Sequence, residues 1–459
     1  MITILTQKSI CDNGFVGEHK VYNVSKHINV CDNGMMIAKN ELIKATLKDT
    51  KAKRKTQMCR VYNTKIDISH LNHATQEHLD RLFLEGKWLR NHVLSQTKIF
   101  GVDDKIHKVP VKVKDVFEIR ELNCLSSQMR QSIIERVQDD IRGLAEKKKN
   151  GYKVGKLKYK SEMQSIPLKQ YGNTYWIMDK KYIHVQGIKQ KLKVIGLNQI
   201  PKGADIANGT LIHRNGDYYL SITTYQERIK RVPANKSVGI DFGLSRQLML
   251  SRTGIAIQYS IPVSLRLRKI ARKLSKQKLH SKNWNKTRIK LNKEYEKATN
   301  IKQDIKNKVV SFLKNNYEII CVQDESVKAW QRIWGRKILT TSIGGIISAL
   351  NKKAHTLIEV PKNFPSTKTC SKCGNVQDMA LDERIYICKN NNCKNIMDRD
   401  YNSSEDMEIE GLKQVGMERT EVTPAEIESS TLMFLRYFNS IPHIKASSVY
   451  EPGSLTALA

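Results

Sequence analysis

The chain contains 459 residues, with 79 Lys and Arg against 45 Asp and Glu, which gives a formal net charge of +34. A positive field of this size predicts a polyanionic partner, and a nucleic-acid backbone is the simplest one. No stretch of eighteen consecutive apolar residues occurs, so no membrane partner is expected. The length suits two to four domains. Without a secretory signal at the start, a cytoplasmic, nucleoid-associated protein is expected.

The first third of the chain predicts an extension, one strand and a set of helices. Residues 1–54 are expected to be an N-terminal extension, disordered or not translated, that ends in a basic linker at Lys51–Lys55. Apolar and polar residues alternate from Gln57 to Ser69, which predicts a strand. Thr75 and Ser126 are then candidate caps of two helices with apolar residues at helical spacing.

Short apolar alternations broken by glycines predict β structure between Ser165 and Tyr225. The clearest signal is Asn215-Gly216, a pair that favours a type I′ turn between two strands. Several short strands at this spacing predict a small barrel. The strand near Gln57 would complete it, with the helices inserted between.

Two buried-type strands end in acidic residues. The first runs through Val238-Gly239-Ile240 to Asp241, and Gly243 shortly after the Asp would allow a phosphate to approach the backbone. A long basic helical region follows, with a break expected at Asn283–Asn285. The second strand runs straight into Asp324 and Glu325. Period-two alternation favours Glu325 over Asp324 as the acid that faces Asp241, and the choice between them stays open.

Four cysteines follow at the spacing of metal ligands. Cys370 and Cys373 form a C-x2-C knuckle, and Cys388 and Cys393 form a wider C-x4-C pair after fourteen intervening residues. This grouping predicts tetrahedral Zn²⁺. Four thiolates leave no open position for water, so the predicted zinc is structural.

An acidic segment stands directly after the cysteines. Asp398-Arg399-Asp400-Tyr401-Asn402 places two carboxylates beside an amide in a strongly basic protein. Carboxylate and amide oxygens suit hard cations that bind phosphate oxygens. The segment therefore predicts a part of a catalytic cation site.

Taken together and in this order, these motifs resemble the TnpB (OrfB) family of insertion-sequence proteins and its relatives, the compact type V CRISPR nucleases. The resemblance runs from about residue 55 to residue 453 and implies an RNA-guided DNA endonuclease that cuts beside a short flanking motif. By matching motifs, Asp241, Glu325 and Asp400 would be the RuvC carboxylates that hold Mg²⁺, two ions in all. Asp400 is favoured over Asp398 because the family's third acid stands two residues before the Asn, here Asn402.

The resemblance implies a multidomain α+β protein. Its RNase H-like RuvC nuclease domain, a mixed sheet with helices, is joined to a wedge β-barrel, an inserted helical recognition domain and a four-cysteine zinc insert. The implied boundaries are an N-terminal extension at 1–54, a first wedge strand at 55–70, a helical recognition domain at 71–150, a wedge β-barrel at 151–235, the first part of the RuvC domain at 236–364, a zinc-binding, nucleic-acid-binding insert at 365–396, the third RuvC motif at 397–410 and a C-terminal tail at 411–459.

The resemblance also implies a guide RNA and a target double-stranded DNA as partners, with a monomer or homodimer on each guide. Two features depart from the family pattern: the second cysteine pair is wider, and Asn402-Ser403-Ser404 replaces Asn-Ala-Ala. Neither removes a ligand. The alternatives are a compact type V CRISPR effector, a nuclease-inactive RNA-guided DNA-binding protein and a DNA transposase, although no candidate covalent Tyr stands out for the transposase.

Overall fold

The computed structural model describes residues 33–113, 115–227, 236–259, 261, 264–335, 338, 341–380 and 382–449. Residues 1–32 of the predicted extension and 450–459 of the predicted tail lie outside this description. Helix α1 (Asn33–Thr56) runs directly into the first strand, and its last turn contains Lys53, Arg54 and Lys55. The predicted linker at Lys51–Lys55 was therefore wrong. Lys and Arg are good helix formers, and their charges are favourable at a helix C-terminus.

The first half of the described chain builds a nearly closed, barrel-like antiparallel sheet with inserted helices. Seven strands take part, in the order β4-β8-β9-β1-β7-β6-β5. In chain order the elements are β1 (Gln57–Ile66), α2 (His73–Ser95), β2 (Lys108–Val113), β3 (Val116–Glu121), α3 (Ser127–Lys149), β4 (Ser165–Leu168), β5 (Tyr175–Ile177), β6 (Tyr182–Val185), β7 (Leu192–Ile195), β8 (Asp205–Arg214) and β9 (Asp217–Glu227).

The first strand completes this sheet, as predicted. β1 pairs with β9 on one side and with β7 on the other. The helices are inserted between β1 and β4. Asn215 and Gly216 both have positive φ, 56° and 76°, which confirms the predicted type I′ turn between β8 and β9.

In the helical insertion, one of the two predicted helix caps is confirmed and the other is wrong. Ser126 caps α3, because its side chain accepts a hydrogen bond from the Met129 amide. Thr75 does not cap α2. The cap is Asn72, whose side-chain oxygen accepts from the Thr75 amide at 2.8 Å. The β2–β3 hairpin was not predicted, since Pro110 inside β2 argues against a strand from sequence alone.

The second half builds a six-stranded mixed sheet covered by helices. The strand order is β14-β13-β10-β11-β12-β17. Its elements are β10 (Ser237–Asp241), β11 (Leu248–Leu250), β12 (Ile255–Tyr259), α4 (Leu265–Ser275), α5 (Lys282–Asn316), β13 (Ile319–Gln323), α6 (Val327–Trp334), α7 (Ile343–Lys353), β14 (Thr356–Val360), β15 (Ile385–Ile387), β16 (Ile396–Asp398), α8 (Arg399–Gln414), α9 (Pro424–Asn439) and β17 (Ile444–Ser448). β10, β13 and β14 are parallel, whereas β11, β12 and β17 pair antiparallel.

Two expectations for this half differ from the structure. The break between the basic helices does not fall at Asn283–Asn285, because Ser281 caps α5 and those residues form its first turn. The segment 411–459 is more than a tail, since it supplies α9 and the edge strand β17, which pairs with β12. Ile444 and Ala446 alternate inward on β17 and join the core of the sheet.

Helix α8 packs unusually closely on the sheet. A Cβ built on Gly239 of β10 would lie 2.8 Å from the Glu408 amide nitrogen and closer still to the Ser404 carbonyl oxygen. A Cβ on Gly411 would lie 2.6 Å from the sulfur of Cys321 on β13. Ser404 is fully buried at this contact, and Ser403 is fully buried against Ser366. The small residues that replace Ala-Ala therefore allow the backbone of α8 to lie against the strands.

Among the helices that the structure describes, none combines the length and the hydropathy of a membrane-spanning helix.

The close approach at Gly239 predicts a strong effect of one methyl group. Gly239→Ala should destabilise the protein by at least about 1–3 kcal/mol, because the new Cβ meets backbone atoms that cannot move aside alone. Thermal unfolding measures the loss. Gly143→Ala is the matched control: this position lies in α3 with nothing within 4 Å of a built Cβ, so Ala there should be neutral or stabilising. Equal melting temperatures for both variants would contradict the packing described.

Candidate metal centres

Asp241 stands at the carboxyl end of β10, next to the carboxyl end of the parallel strand β13. The two strands are in register, with Ile240 opposite Val322. Asp241 retains some accessible surface but is deeply surrounded by protein. Burial raises its pKa well above the ordinary Asp value, and the charges of Asp400 and Glu325 raise it further. The carboxylate therefore lies in a site that disfavours its own charge.

Glu325 stands two residues beyond the end of β13. Burial raises its pKa, which Lys362 opposes and the charge of Asp324 reinforces. The strand ends at Gln323, so period-two alternation does not extend to Glu325 itself. Gln323 instead uses its side-chain amide to donate to the Phe364 carbonyl at 2.8 Å. The charge of Glu325 nevertheless acts on Asp241, as the predicted pairing of these acids requires.

The two acids of the Asp398–Asp400 segment have different surroundings. Asp398 caps α8, because its Oδ1 accepts from the amides of Asp400 and Tyr401 at 3.0 and 3.1 Å. Its other oxygen accepts from Arg246 at 2.6 Å. Asp400 lies in the first turn of α8, where its charge acts on Asp241. Asp398 is thus engaged in capping and ion pairing, and its charge raises the pKa of Asp241 less than that of Asp400 does.

Three arginines surround Asp400. The side-chain nitrogens of Arg246, Arg384 and Arg399 lie 3.7, 4.0 and 3.5 Å from its carboxylate oxygens. Carboxylate oxygens from Asp241, Glu325 and Asp400 are the donor set that hard divalent cations prefer. The charges of Asp400 and Glu325 both act on Asp241, and arginines border Asp400, which would suit a cation and a phosphate together. We call these three acids the acid cluster.

The four cysteines fit a zinc ion. Their sulfur atoms all lie within 4.8 Å of one another, with Cys370 and Cys393 at 3.8 Å and Cys373 and Cys388 at 3.6 Å. Four sulfurs at about 2.3 Å from one tetrahedral metal would stand about 3.8 Å apart. The cluster therefore matches the predicted structural zinc, and the wider C-x4-C loop does not remove a ligand.

Sequence reasoning missed a buried ion network beneath α8. Glu408 is fully buried, and its two oxygens accept from Ser237 at 2.6 Å and Ser251 at 2.7 Å. Arg252 donates to the same carboxylate at 2.6 Å, and Arg419 lies at 3.1 Å. The signal in the sequence was the three-residue spacing of Glu405 and Glu408, which places both acids on one face of a helix directly after the small residues Ser403 and Ser404.

Asn402 also has a role that differs from the one expected. The sequence placed this amide among oxygen ligands for cations. In the structure its side chain is fully buried and bonds the backbone on both sides of Cys370. Asn402 therefore contacts the segment that contains the four cysteines and the strands β15 and β16, residues 365–398, which we call the zinc element.

Comparison with known proteins was made on sequence and on structure. Residues 346–406 match the family model described as "Cas12f1-like, TNB domain". The chain is 25% identical over 267 residues to a Streptomyces pristinaespiralis protein named "Putative RNA-guided DNA endonuclease", across 56% of this chain and 65% of that protein. It is 29% identical over 150 residues to a TnpB-like protein of Acanthamoeba polyphaga mimivirus, across 30% of this chain and 28% of that protein.

These matches confirm the resemblance to the TnpB family that the motifs predicted. The chain spans less than two thirds of the length of either relative. A cryo-EM structure of a Cas12f1-sgRNA-target DNA complex also matches, with 15% identity, a TM-score of 0.37 and coverage of 61% of this chain and 70% of that one.

The raised pKa of Asp241 predicts that this acid costs stability. Asp241→Asn should raise the melting temperature at neutral pH in buffer without added Mg²⁺ or Mn²⁺, by about 2–4 °C for each kcal/mol gained. The folded state holds the Asp241 proton more tightly than the unfolded state, so the penalty appears as pH rises above the ordinary Asp value. The gain should therefore vanish near pH 4.

Asp304→Asn is the control, since Asp304 is exposed on α5 and pairs only with Lys308 among the described contacts. Its melting temperature should match the wild type within about 1 °C. A lower melting temperature for Asp241→Asn at neutral pH would contradict the account of the cluster.

The sulfur geometry predicts one zinc per chain. Cys373→Ser should lower the zinc content measured by mass spectrometry well below the wild-type value, because one of four thiolates is lost. Cys59→Ser, at an exposed cysteine outside the cluster, should leave the content unchanged. Unchanged zinc in the Cys373 variant would refute the ligand assignment.

Proposed function

We propose that this chain is an RNA-guided DNA endonuclease of the TnpB type. Its six-stranded mixed sheet would be the RNase H-like RuvC nuclease domain, and its barrel-like sheet would be the wedge domain. The single observation that carries the proposal is the position of Asp241 at the paired ends of β10 and β13, where the charges of both Asp400 and Glu325 raise its pKa. The relatives named as a putative RNA-guided DNA endonuclease and as a TnpB-like protein support the same class.

The chemistry would be phosphodiester hydrolysis at the acid cluster. When bound, two Mg²⁺ ions would supply an activated water and stabilise the leaving oxygen. Asp241, Glu325 and Asp400 would hold those ions. Arg384, which is exposed and 4.0 Å from the Asp400 carboxylate, would draw the phosphate towards the site.

Target choice would follow the guide and not the side chains. Base pairing between guide RNA and target strand reads sequence, while the protein holds the heteroduplex through its backbone. The net charge of +34 supplies the field for this contact. A short flanking motif would be read by the barrel-like sheet and the inserted helices.

A compact CRISPR effector with the same chemistry is the second candidate, because the matched family model is described as Cas12f1-like. The two candidates differ in the source of the guide. RNA copied from transposon ends would favour the TnpB type, whereas RNA copied from a repeat array would favour the effector.

The test is purification of the protein co-expressed with its flanking genomic DNA, followed by sequencing of the bound RNA. A plasmid with the guide's target beside a randomised flank is then incubated with Mg²⁺. We expect cutting that depends on the guide match and on the flank. Asp241→Asn and Glu325→Gln should each reduce it by about 100-fold or more with RNA binding unchanged.

Asp324→Asn is the matched control and should cut within about threefold of the wild type. Full cutting by Glu325→Gln together with loss in Asp324→Asn would move the second ligand to Asp324. Target binding without cutting would support the nuclease-inactive alternative. No specific RNA at all would overturn the proposed function and reopen the transposase.

A further inference from the structure

Asn402 links the helix that carries Asp400 to the zinc knuckle. Its side-chain nitrogen donates to the Thr369 carbonyl at 2.6 Å, and its side-chain oxygen accepts from the Ser371 amide at 3.0 Å. These two backbone groups flank Cys370. The reversed amide would place donor against donor and acceptor against acceptor, so only one orientation satisfies both bonds.

A second contact lies one turn further along the same helix face. Glu405 is almost fully buried, and its Oε2 accepts from the Ser371 hydroxyl at 3.1 Å and lies 3.2 Å from the Lys372 ammonium. Residues 402 and 405 are three apart, so both side chains point to the same neighbour. The segment around Cys370 is therefore held to α8 at two levels.

The covalent chain makes a third link. Strand β16 pairs with β15 within the zinc element and runs without a loop into α8. The Arg399 amide donates to the Arg384 carbonyl at 2.9 Å, which extends this pairing to the first residue of the helix. The start of α8 is thus continuous with the zinc element.

The acid cluster itself opposes this arrangement. Asp400 brings a negative charge towards Asp241, whose pKa it raises, and this repulsion acts against the position of the first turn of α8. Arg246 and the Asp398 cap offset part of the repulsion. The bonds of Asn402 hold the same turn from the side of the cysteines.

We propose that zinc binding at the four cysteines sets the position of Asp400, and that Asn402 is the positioning residue that couples the two metal sites. The inference rests on the proposed function, in which Asp400 is a cation ligand. Knuckles of this kind lose their structure without metal. Thr369 and Ser371 would then no longer satisfy the buried amide of Asn402, and the first turn of α8 would shift or fray.

Coupling between two sites is reciprocal and can be measured as a cycle. Mn²⁺ binding is measured by electron paramagnetic resonance. The part of the binding that disappears in Asp241→Asn is assigned to the acid cluster. In the wild type, removal of zinc should weaken this binding about tenfold or more. Asn402→Ala should weaken it to a similar degree with zinc present, and zinc removal should then change it less than about twofold.

Two further variants separate positioning from general damage. Asn402→Asp has the same size but places an oxygen against the Thr369 carbonyl, so it should weaken Mn²⁺ binding at least as much as Asn402→Ala does. Ser404→Ala is the control, because Ser404 is as buried as Asn402 but its hydroxyl, among the described contacts, bonds only to the Tyr401 carbonyl of its own helix. It should bind Mn²⁺ as the wild type does, with the coupling to zinc intact.

Two results would overturn the inference. One is a wild-type Mn²⁺ affinity that does not change when zinc is removed. The other is an equally large change on zinc removal in Asn402→Ala and in the wild type. If the wild type shows no Asp241-dependent Mn²⁺ binding, the proposed function fails separately. Hydrogen exchange then decides the coupling alone. The amides of residues 400–405 should exchange about tenfold faster without zinc, and unchanged exchange would refute the coupling.

Discussion

The contact between helix α8 and the central strand β10 is the constraint on which the second half of the molecule depends. Glycine at 239 lets the helix backbone reach the strand, and the buried carboxylate of Glu408 fastens it there through Ser237 and Arg252. Removal of one partner from a buried pair leaves an uncompensated charge, which costs about 3–5 kcal/mol. The helix is therefore fixed in both distance and register.

A fixed α8 places different chemistry on each of its parts. The side of α8 that faces the sheet carries small residues. Its first turn contains Asp400, whose charge acts on Asp241. Asn402 forms hydrogen bonds with the backbone on both sides of Cys370. The acid cluster is unfavourable without a cation, since burial and like charge raise the pKa of Asp241. A loss of folding stability of this kind is typical of functional sites. The packing of α8 on β10 and the bonds of Glu408 oppose this loss.

The parts that could be predicted from the sequence were those with a local signal. Asp241 follows an apolar strand, the cysteines stand at ligand spacing, and Asn215-Gly216 specifies its own turn. The parts that could not be predicted depend on distant partners. The edge strand β17 is defined by its pairing with β12, and the charge of Glu408 is explained only by Ser237 and Ser251. The amide of Asn402 resembled a cation ligand until the helix showed which neighbour it faces.

The most direct test of the two metal centres is anomalous X-ray diffraction from crystals grown with zinc and soaked in Mn²⁺. The account predicts a zinc-edge peak among Cys370, Cys373, Cys388 and Cys393, and manganese-edge density within coordination distance of Asp241, Glu325 and Asp400. Manganese on Asp324 or Asp398 instead, or no manganese near Asp241, would contradict it.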